Sequence, residues 1–181
     1  MFLNVDPTSF QNLNYGLYIV ASVCEDKKNA QIVNTVFRVS SRPFRIAVGI
    51  HKESLTHQYI QSSKKFSIAI LDEETPIEFI RLFGFSSGRN VDKFAGVKHK
   101  SGKAGTPIIL ENVILVMEAV VVEQVDAGTH SFFVGDIVNA EVLKDGKPLT
   151  YSYYRDVRKG ALPAKGSMFA ADSDDRKGEI L

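Results

Sequence analysis

Short apolar segments, rich in β-branched and aromatic residues, dominate the first seventy residues, and such segments are typical of β-strands. Four of them, bounded by charged, serine-rich or proline-containing turns, predict strands over residues 15–24, 30–39, 44–50 and 66–71. Only the charged residues 25–29 separate the first two, so these predict a hairpin. In the third, Ile46, Val48 and Ile50 are predicted on one face, and the other face carries Arg45, Ala47 and Gly49.

Two short helices are predicted between the strands. Residues 54–63 have a serine at the N-cap position and a narrow apolar stripe, which predict the first helix. The second begins with a capping box, in which Thr75 is the N-cap, Pro76 the first helical residue and Glu78 the third. A glycine at position 84 is predicted to end it.

The second half of the chain predicts another hairpin after a polar, glycine-rich segment. Long strands are predicted over 113–125 and 130–143, joined by the turn 126–128. Residues 148–154 are predicted to add an edge strand. Strands in hairpins outnumber helices, so the fold class predicted is mainly β: an antiparallel barrel with helices packed on the outside.

Composition limits the classes of function. The chain has 181 residues, which suits one domain, predicted over 1–163, with a mobile tail over 164–181. The net charge of +1 argues against salt-driven nucleic-acid binding. Because Cys24 is the only cysteine, neither an internal disulfide nor a four-cysteine metal centre is possible, and we expect a reducing cytoplasm. No apolar run predicts a membrane span or a signal peptide.

Five short motifs carry candidate chemistry, and each also has an ordinary structural explanation. Asn34 and Thr35 could meet the edge of a heterocycle, or face solvent. Ser40 and Ser41, in the turn before Pro43, could hold a phosphate or a flavin edge, or form a simple turn. A third motif is the start of the helix at 54–63, where Lys52 and two hydroxyl groups could bind an anion or be solvated.

The fourth motif is His130, at the mouth of the long hairpin, which could reach a ligand or be a surface histidine. The fifth motif is the segment 89–94, which contains Lys93. This segment could close over a phosphate or remain a solvated loop. No histidine pair has metal-ligand spacing, so no metal site is predicted.

Taken in order, these motifs resemble the flavin reductase-like family, which has an FMN-binding split-barrel fold. The resemblance covers roughly residues 8–160, and its matching segments are 15–20, 34–43, 51–57, 87–94 and 127–130, with Gly135. The resemblance is greatest to the branch that contains flavoredoxins and the flavin domains of high-molecular-weight rubredoxins.

The resemblance implies a non-covalent FMN site, in a homodimer with sites near the subunit interface. Asn34, Thr35 and Val36 would contact the isoalloxazine ring, and Ser40 and Ser41 would lie near the ribityl chain or phosphate. The remaining residues that the family motifs place at the cofactor are His51, Lys52, Thr56, Lys93 and His130. Of these, Lys52 and Thr56 would hold the phosphate, Lys93 would join them from either subunit, and His130 would lie near the flavin or the nicotinamide.

The activity implied is hydride transfer from NAD(P)H to the flavin, followed by electron transfer to a protein such as rubredoxin or to free flavin. The flavin supplies the chemistry, so no catalytic acid or base is predicted. No dinucleotide-binding glycine motif is present, so NAD(P)H is expected to bind transiently over the flavin. The alternative is a non-catalytic flavin- or ligand-binding module on the same barrel.

Overall fold

The structure is a computed structural model, and it describes residues 9–10 and 13–160. The predicted tail over 164–181 therefore lies outside the described residues. The helices are α1 (Leu55–Ser63), α2 (Ile77–Phe85) and α3 (Tyr151–Asp156). The strands are β1 (Tyr18–Cys24), β2 (Lys27–Val33), β3 (Val36–Ser41), β4 (Phe44–His51), β5 (Lys65–Leu71), β6 (His99–Ser101), β7 (Pro107–Ile109), β8 (Val113–Ala127) and β9 (His130–Val142).

Seven of these strands form one antiparallel sheet in the order β2-β1-β5-β8-β9-β4-β3. The two outermost strands, β2 and β3, follow one another directly in the chain, so residues 34–35 connect the two ends of the sheet and curl it into a barrel. One cluster of buried apolar side chains fills the interior of the barrel, and a second lies on the opposite face of the sheet against α2, α3 and β7. The prediction of a mainly β barrel with peripheral helices is confirmed.

The predicted strand over 30–39 is wrong, because the chain divides it between two strands. β2 ends at Val33 and pairs with β1, whereas β3 begins at Val36 and pairs with β4. The side chain of Asn34 is buried at the break, where the Thr35 hydroxyl donates to its Oδ1 (3.1 Å). The sequence over 30–39 is an unbroken run of strand-forming residues, so it does not reveal that the chain changes its pairing strand. The local pattern carries no information about which strand lies alongside.

The predicted edge strand over 148–154 is also wrong beyond Thr150. The Thr150 side chain accepts a hydrogen bond from the Tyr153 N–H and caps α3. Tyr151 and Tyr154 are both buried, and their three-residue spacing places them on one face of a helix. Helical spacing of the large aromatic side chains thus overrides their strand propensity.

The ends of α2 differ from the capping box that the sequence predicts. Pro76 occupies the N-cap, and the Thr75 hydroxyl instead faces the main-chain oxygens of Asp72 (2.6 Å) and Asn112 (2.9 Å). The helix continues through Gly84 to Phe85. Thr75 is fully buried, so its hydroxyl must be satisfied inside the protein and joins α2 to the end of β5.

Helix α1 confirms its predicted start, since the Ser54 side chain accepts from the His57 N–H (3.2 Å). The two faces predicted for β4 are confirmed too. Ile46, Val48 and Ile50 pack in one interior cluster, so the alternate residues face the other way. This second face becomes part of the candidate site. Over the described residues, no helix has the length and apolar character that a membrane crossing requires.

Candidate functional site

The side chains of Thr35 and Phe132 pack over the buried Gly49 on the outer face of the sheet, and we call these three residues the floor. A β-carbon at position 49 would lie 3.0 Å from Thr35 Cγ2 and 3.2 Å from Phe132 Cε1. The Gly49 N–H donates to the Thr35 main-chain oxygen (2.9 Å), which holds the crossing segment against β4. Glycine at this position therefore lets Thr35 and Phe132 lie close to the backbone of β4.

Two histidines continue this face toward the end of the barrel. His51 and His130 are directly opposite in the β4–β9 pairing, and their rings meet edge to face with centroids 5.0 Å apart. Burial lowers the pKa of His130, and the nearby His51 lowers it further. The neutral imidazole is therefore the dominant form of His130 at neutral pH, and the Thr129 hydroxyl is 2.9 Å from its Nδ1.

A cleft of about 390 Å³ opens beside His51, which is a volume suited to a small-molecule ligand. It lies between β2, the start of α1 and the segment that follows α2. Its lining is partly apolar, through Ile32, Leu55 and Phe83, and partly polar or cationic, through Ser54, Arg89 and Lys93 among others. His51 lines the cleft and also belongs to the Gly49 face, so the floor and the cleft form one continuous site.

The start of α1 gives this cleft a positive electrostatic potential. The first turn of a helix presents N–H groups and the positive end of the helix dipole. The Arg89 guanidinium lies near the same turn, with NH1 and NH2 each 3.5 Å from the Glu53 main-chain oxygen. These groups suit an anionic ligand such as a phosphate monoester.

Lys93 places a buried ammonium group in the wall of the cleft. It is only 4% exposed, and Nζ donates to the main-chain oxygens of Ala30 (2.9 Å) and Phe83 (3.1 Å). Burial lowers its pKa to about 8, because the charged form loses hydration that two neutral carbonyl groups replace only in part. An anion bound nearby would favour the charged form.

Lys52 lies at the rim, where its Nζ donates to both carboxylate oxygens of Asp126 (2.7 Å each). Its backbone N–H donates to the Thr129 main-chain oxygen (3.0 Å). The hydrogen bond from Lys52 lowers the pKa of Asp126, so this pair is charged at neutral pH. Lys52 therefore has a protein partner that a phosphate would have to displace or share.

The structure brings Asn34, Thr35, His51, Lys52 and His130 to one end of the barrel, with Lys93 in the adjoining cleft. Four other predicted site residues are placed elsewhere. The side chain of Val36 packs with an interior cluster, because this residue pairs with Val48 on the interior face. Thr56 is fully buried, and its hydroxyl accepts from Asn29 Nδ2 (2.8 Å).

Ser40 and Ser41 lie at the opposite end of the β3–β4 hairpin. Ser40 pairs with Arg45, which is about 20 Å along β4 from His51 at the usual rise per residue. One phosphate therefore cannot contact both Ser40 and Lys52 of a single chain. Ser40 does share the outer face with Gly49, so a ligand extending along the hairpin would run toward it.

Sequence reasoning missed Gly49, Phe132 and Asn29 as site-lining residues. Gly49 was placed on the correct face, and a glycine in the interior of a strand is a recognised signal of close backbone or ligand approach. Asn29 had no such signal. A β-carbon at Gly88 would lie 1.9 Å from Asn29 Oδ1, so this pair meets only because the loop after α2 packs against β2.

The chain matches the model of the flavin reductase like domain over residues 10–160. It belongs to the flavin reductase-like family. The predicted family is thus confirmed, and with it the predicted class of enzyme, an NAD(P)H-dependent flavin oxidoreductase. Within the described residues, no group of three or more histidine, cysteine or carboxylate side chains is placed to hold a metal ion.

Two curated relatives in this family are similar to nearly the whole chain. The ferric-chelate reductase (NAD(P)H) of Archaeoglobus fulgidus is 44% identical over 165 residues, covering 91% of this chain and 98% of the relative. The high molecular weight rubredoxin of Moorella thermoacetica is 41% identical over 173 residues, covering 96% of this chain and 76% of the relative.

Solved structures show the same fold. The flavoredoxin of Methanosarcina acetivorans superposes with a TM-score of 0.68 at 27% identity, covering 82% of this chain and 78% of that one. An NADH:FAD oxidoreductase of Streptomyces globisporus superposes with a TM-score of 0.73 at 21% identity, covering 81% and 90%. The flavin reductase-like split barrel is therefore the architecture of this chain.

Proposed function

We propose that this flavin reductase-like protein binds FMN non-covalently, accepts a hydride from NAD(P)H and passes the electrons to a separate acceptor. The observation that carries the proposal is the continuity, through His51, of the floor formed by Thr35, Gly49 and Phe132 with the cationic cleft. A planar ring suits the first part, and a single phosphate suits the second. A cofactor with one ring system and one terminal phosphate matches this arrangement.

FMN fits the residues present. Thr35 and Phe132 would border the ring over Gly49, and Asn34 would present its side-chain amide near the ring edge. Arg89, Lys93 and the first turn of α1 would hold the phosphate. When bound, the flavin supplies hydride acceptance and release of electrons singly or in pairs. The chain would bind and orient the flavin. His130 is neutral near pH 7 and therefore adds no positive charge at the floor.

The acceptor proposed is a small iron protein such as rubredoxin. A relative 41% identical to this chain is called a high molecular weight rubredoxin, and this chain covers 76% of it. The 181 residues contain one cysteine, so they cannot build a four-cysteine iron centre. An iron centre that receives the electrons would therefore lie outside these residues. Free flavin and ferric chelates are the alternative acceptors.

A homodimer is the proposed assembly. Phe37, Val120 and Val138 expose apolar side chains on the same outer face as Gly49, and about half of the Phe37 and Val138 surface is accessible. Large exposed apolar faces of this kind favour association. Arg45 and Asp136 pair within the face (2.7 Å) and could exchange partners across a two-fold axis.

Sedimentation should give a dimer mass, and Val138→Asp should convert the dimer to a monomer. A monomeric wild type would refute this assembly.

The decisive experiment is to titrate the purified apoprotein with FMN, FAD and riboflavin. We expect FMN to bind more tightly than riboflavin, because only FMN carries the phosphate, and more tightly than FAD, whose adenylate extends the phosphate end. Equal affinities for FMN and riboflavin would refute the assignment of the cleft. No flavin binding at all would refute the cofactor.

Catalysis is tested by mixing the FMN complex with NADH or NADPH anaerobically in a stopped-flow instrument. Bleaching of the flavin absorbance is expected, and its absence with both nucleotides would favour the non-catalytic binding module. Reoxidation by rubredoxin should then be faster than reoxidation by excess free FMN. The reverse order would assign free flavin as the acceptor.

A further inference from the structure

A buried histidine lies directly beneath the proposed flavin face. His57 is on α1 and is 6% exposed, and its Nε2 is 2.9 Å from Oγ of Ser131, which is 1% exposed. Gln124 Nε2 donates to the same Ser131 oxygen (3.5 Å). The Ser131 oxygen can accept two hydrogen bonds and donate one, so it can accept from Gln124 and either accept from or donate to Nε2 of the neutral His57.

Ser131 lies between two residues of the site. It pairs with Ile50 and faces the interior, whereas its neighbours His130 and Phe132 pair with His51 and Gly49 and face outward. The His57 ring also packs against Phe133, with centroids 5.1 Å apart. The His57 side chain therefore contacts Ser131 and Phe133, two interior-facing residues of β9. The outward-facing residues of the same stretch, His130 and Phe132, border the floor.

We infer that His57 is a positioning residue, which acts through Ser131 to hold His130 and Phe132 at the flavin face in fixed relation to helix α1. The same helix begins at the proposed phosphate cleft, so His57 fixes the distance between the two parts of the site. This inference rests on the proposed function, since it concerns how the chain arranges a flavin and its phosphate.

Protonation of His57 would change this contact. The charged ring can only donate from Nε2, so Ser131 would have to accept from both His57 and Gln124. The charged and titratable groups around it are Lys52 and His51, with Asp126 paired to Lys52 and His130 stacked on His51. Burial lowers the pKa of His57, and Lys52 and His51 lower it further. The contact made by the neutral ring is therefore complete above the ordinary histidine pKa and is lost as the pH falls through the lower, folded value.

The test measures FMN affinity from about pH 5 to about pH 8, the range in which histidines titrate, for four proteins. These are the wild type, Ser131→Ala, His57→Gln and the control His99→Gln, a histidine bonded to Val97 and outside the site. Ser131→Ala should weaken FMN binding about tenfold at neutral pH, the value of one buried hydrogen bond.

His57→Gln retains a group that can accept from Ser131, so it should bind FMN within about threefold of the wild type at neutral pH. The FMN affinity of His57→Gln should also fall less than that of the wild type as the pH is lowered, because His57 no longer contributes to the loss. His99→Gln should show the same pH profile as the wild type. An affinity unchanged by Ser131→Ala, or a pH profile unchanged by His57→Gln, would overturn the inference. Failure of the wild type to bind FMN would instead reject the proposed function, so the two failures are distinguishable.

Discussion

The Gly49 floor and the cationic cleft are built in different ways, although they meet at His51. Strand register and one main-chain hydrogen bond position the floor, because Gly49 pairs with Phe132 and its N–H donates to Thr35 in the crossing segment. Segments far apart in the chain form the cleft, whose cations come from the segment after α2 and whose helix N–H groups come from the start of α1. The floor is almost uncharged and provides shape, whereas the cleft provides charge. A ligand that needs both must therefore match a distance that only the complete fold defines.

Gly49→Val should have the largest effect. The new side chain would collide with Thr35 and Phe132 and displace them from the floor, and overpacking of this kind should weaken FMN binding about tenfold to hundredfold. Gly49→Ala should lie between this variant and the wild type. Inorganic phosphate, which needs only the cleft, should compete for FMN in the wild type and retain its affinity for the Gly49→Val protein. Loss of phosphate binding in a variant with an unchanged melting temperature would show that the two regions are not separable.

Lys93→Met should weaken FMN and phosphate alike, by about tenfold for one charge-assisted contact. In the wild type, both affinities should fall as the pH rises through about 8, because Lys93 then loses its charge. Lys93→Met should not show this decrease, whereas the exposed control Lys98→Met should retain it. Equal pH profiles for all three proteins would remove Lys93 from the site.

The stability of the ligand-free protein should follow the opposite trend. The pKa of Lys93 is lowered in the folded state, so the unfolded chain binds more protons between about pH 8 and the ordinary lysine pKa. The contribution of Lys93 to the free energy of unfolding should therefore rise over this interval. Chemical denaturation at several pH values measures this contribution as the free energy of unfolding of the wild type minus that of Lys93→Met. A fall in this difference as the pH rises would contradict the argument that burial lowers the pKa of Lys93.

Asp126→Asn should have the smallest effect and would show whether Lys52 belongs to the cleft. The substitution removes the charge that now holds Lys52 but keeps an oxygen for the Gly128 N–H. If Lys52 contributes to phosphate binding, FMN should bind about twofold to threefold more tightly, the scale expected of an exposed ion pair. Lys52→Gln in the Asp126→Asn background should cancel the gain. An unchanged affinity would place Lys52 in a structural role.

The alternation of apolar and polar residues predicts most of the strands, because successive side chains of a strand face the core and the solvent in turn. It placed Gly49 on the correct face, and it placed the Ser54 cap at the start of α1. It failed at residues 34–35 and 148–154, where the deciding contacts are with distant segments. β3 exists as a separate strand because β4 is its partner, and α3 forms because Tyr151 and Tyr154 bury against the core.

The sequence by itself determined the family, the mainly β class and, around the proposed ring, Asn34, Thr35 and His130, since ordered motifs and strand alternation are local properties. Only the tertiary structure decided which of them can act together. It joined His51 to both the floor and the cleft, turned Val36 and Thr56 into the interior, and separated Ser40 from Lys52 by most of the length of a strand. Burial and distance are properties of packed neighbours, so residues that are close in the chain could not reveal them.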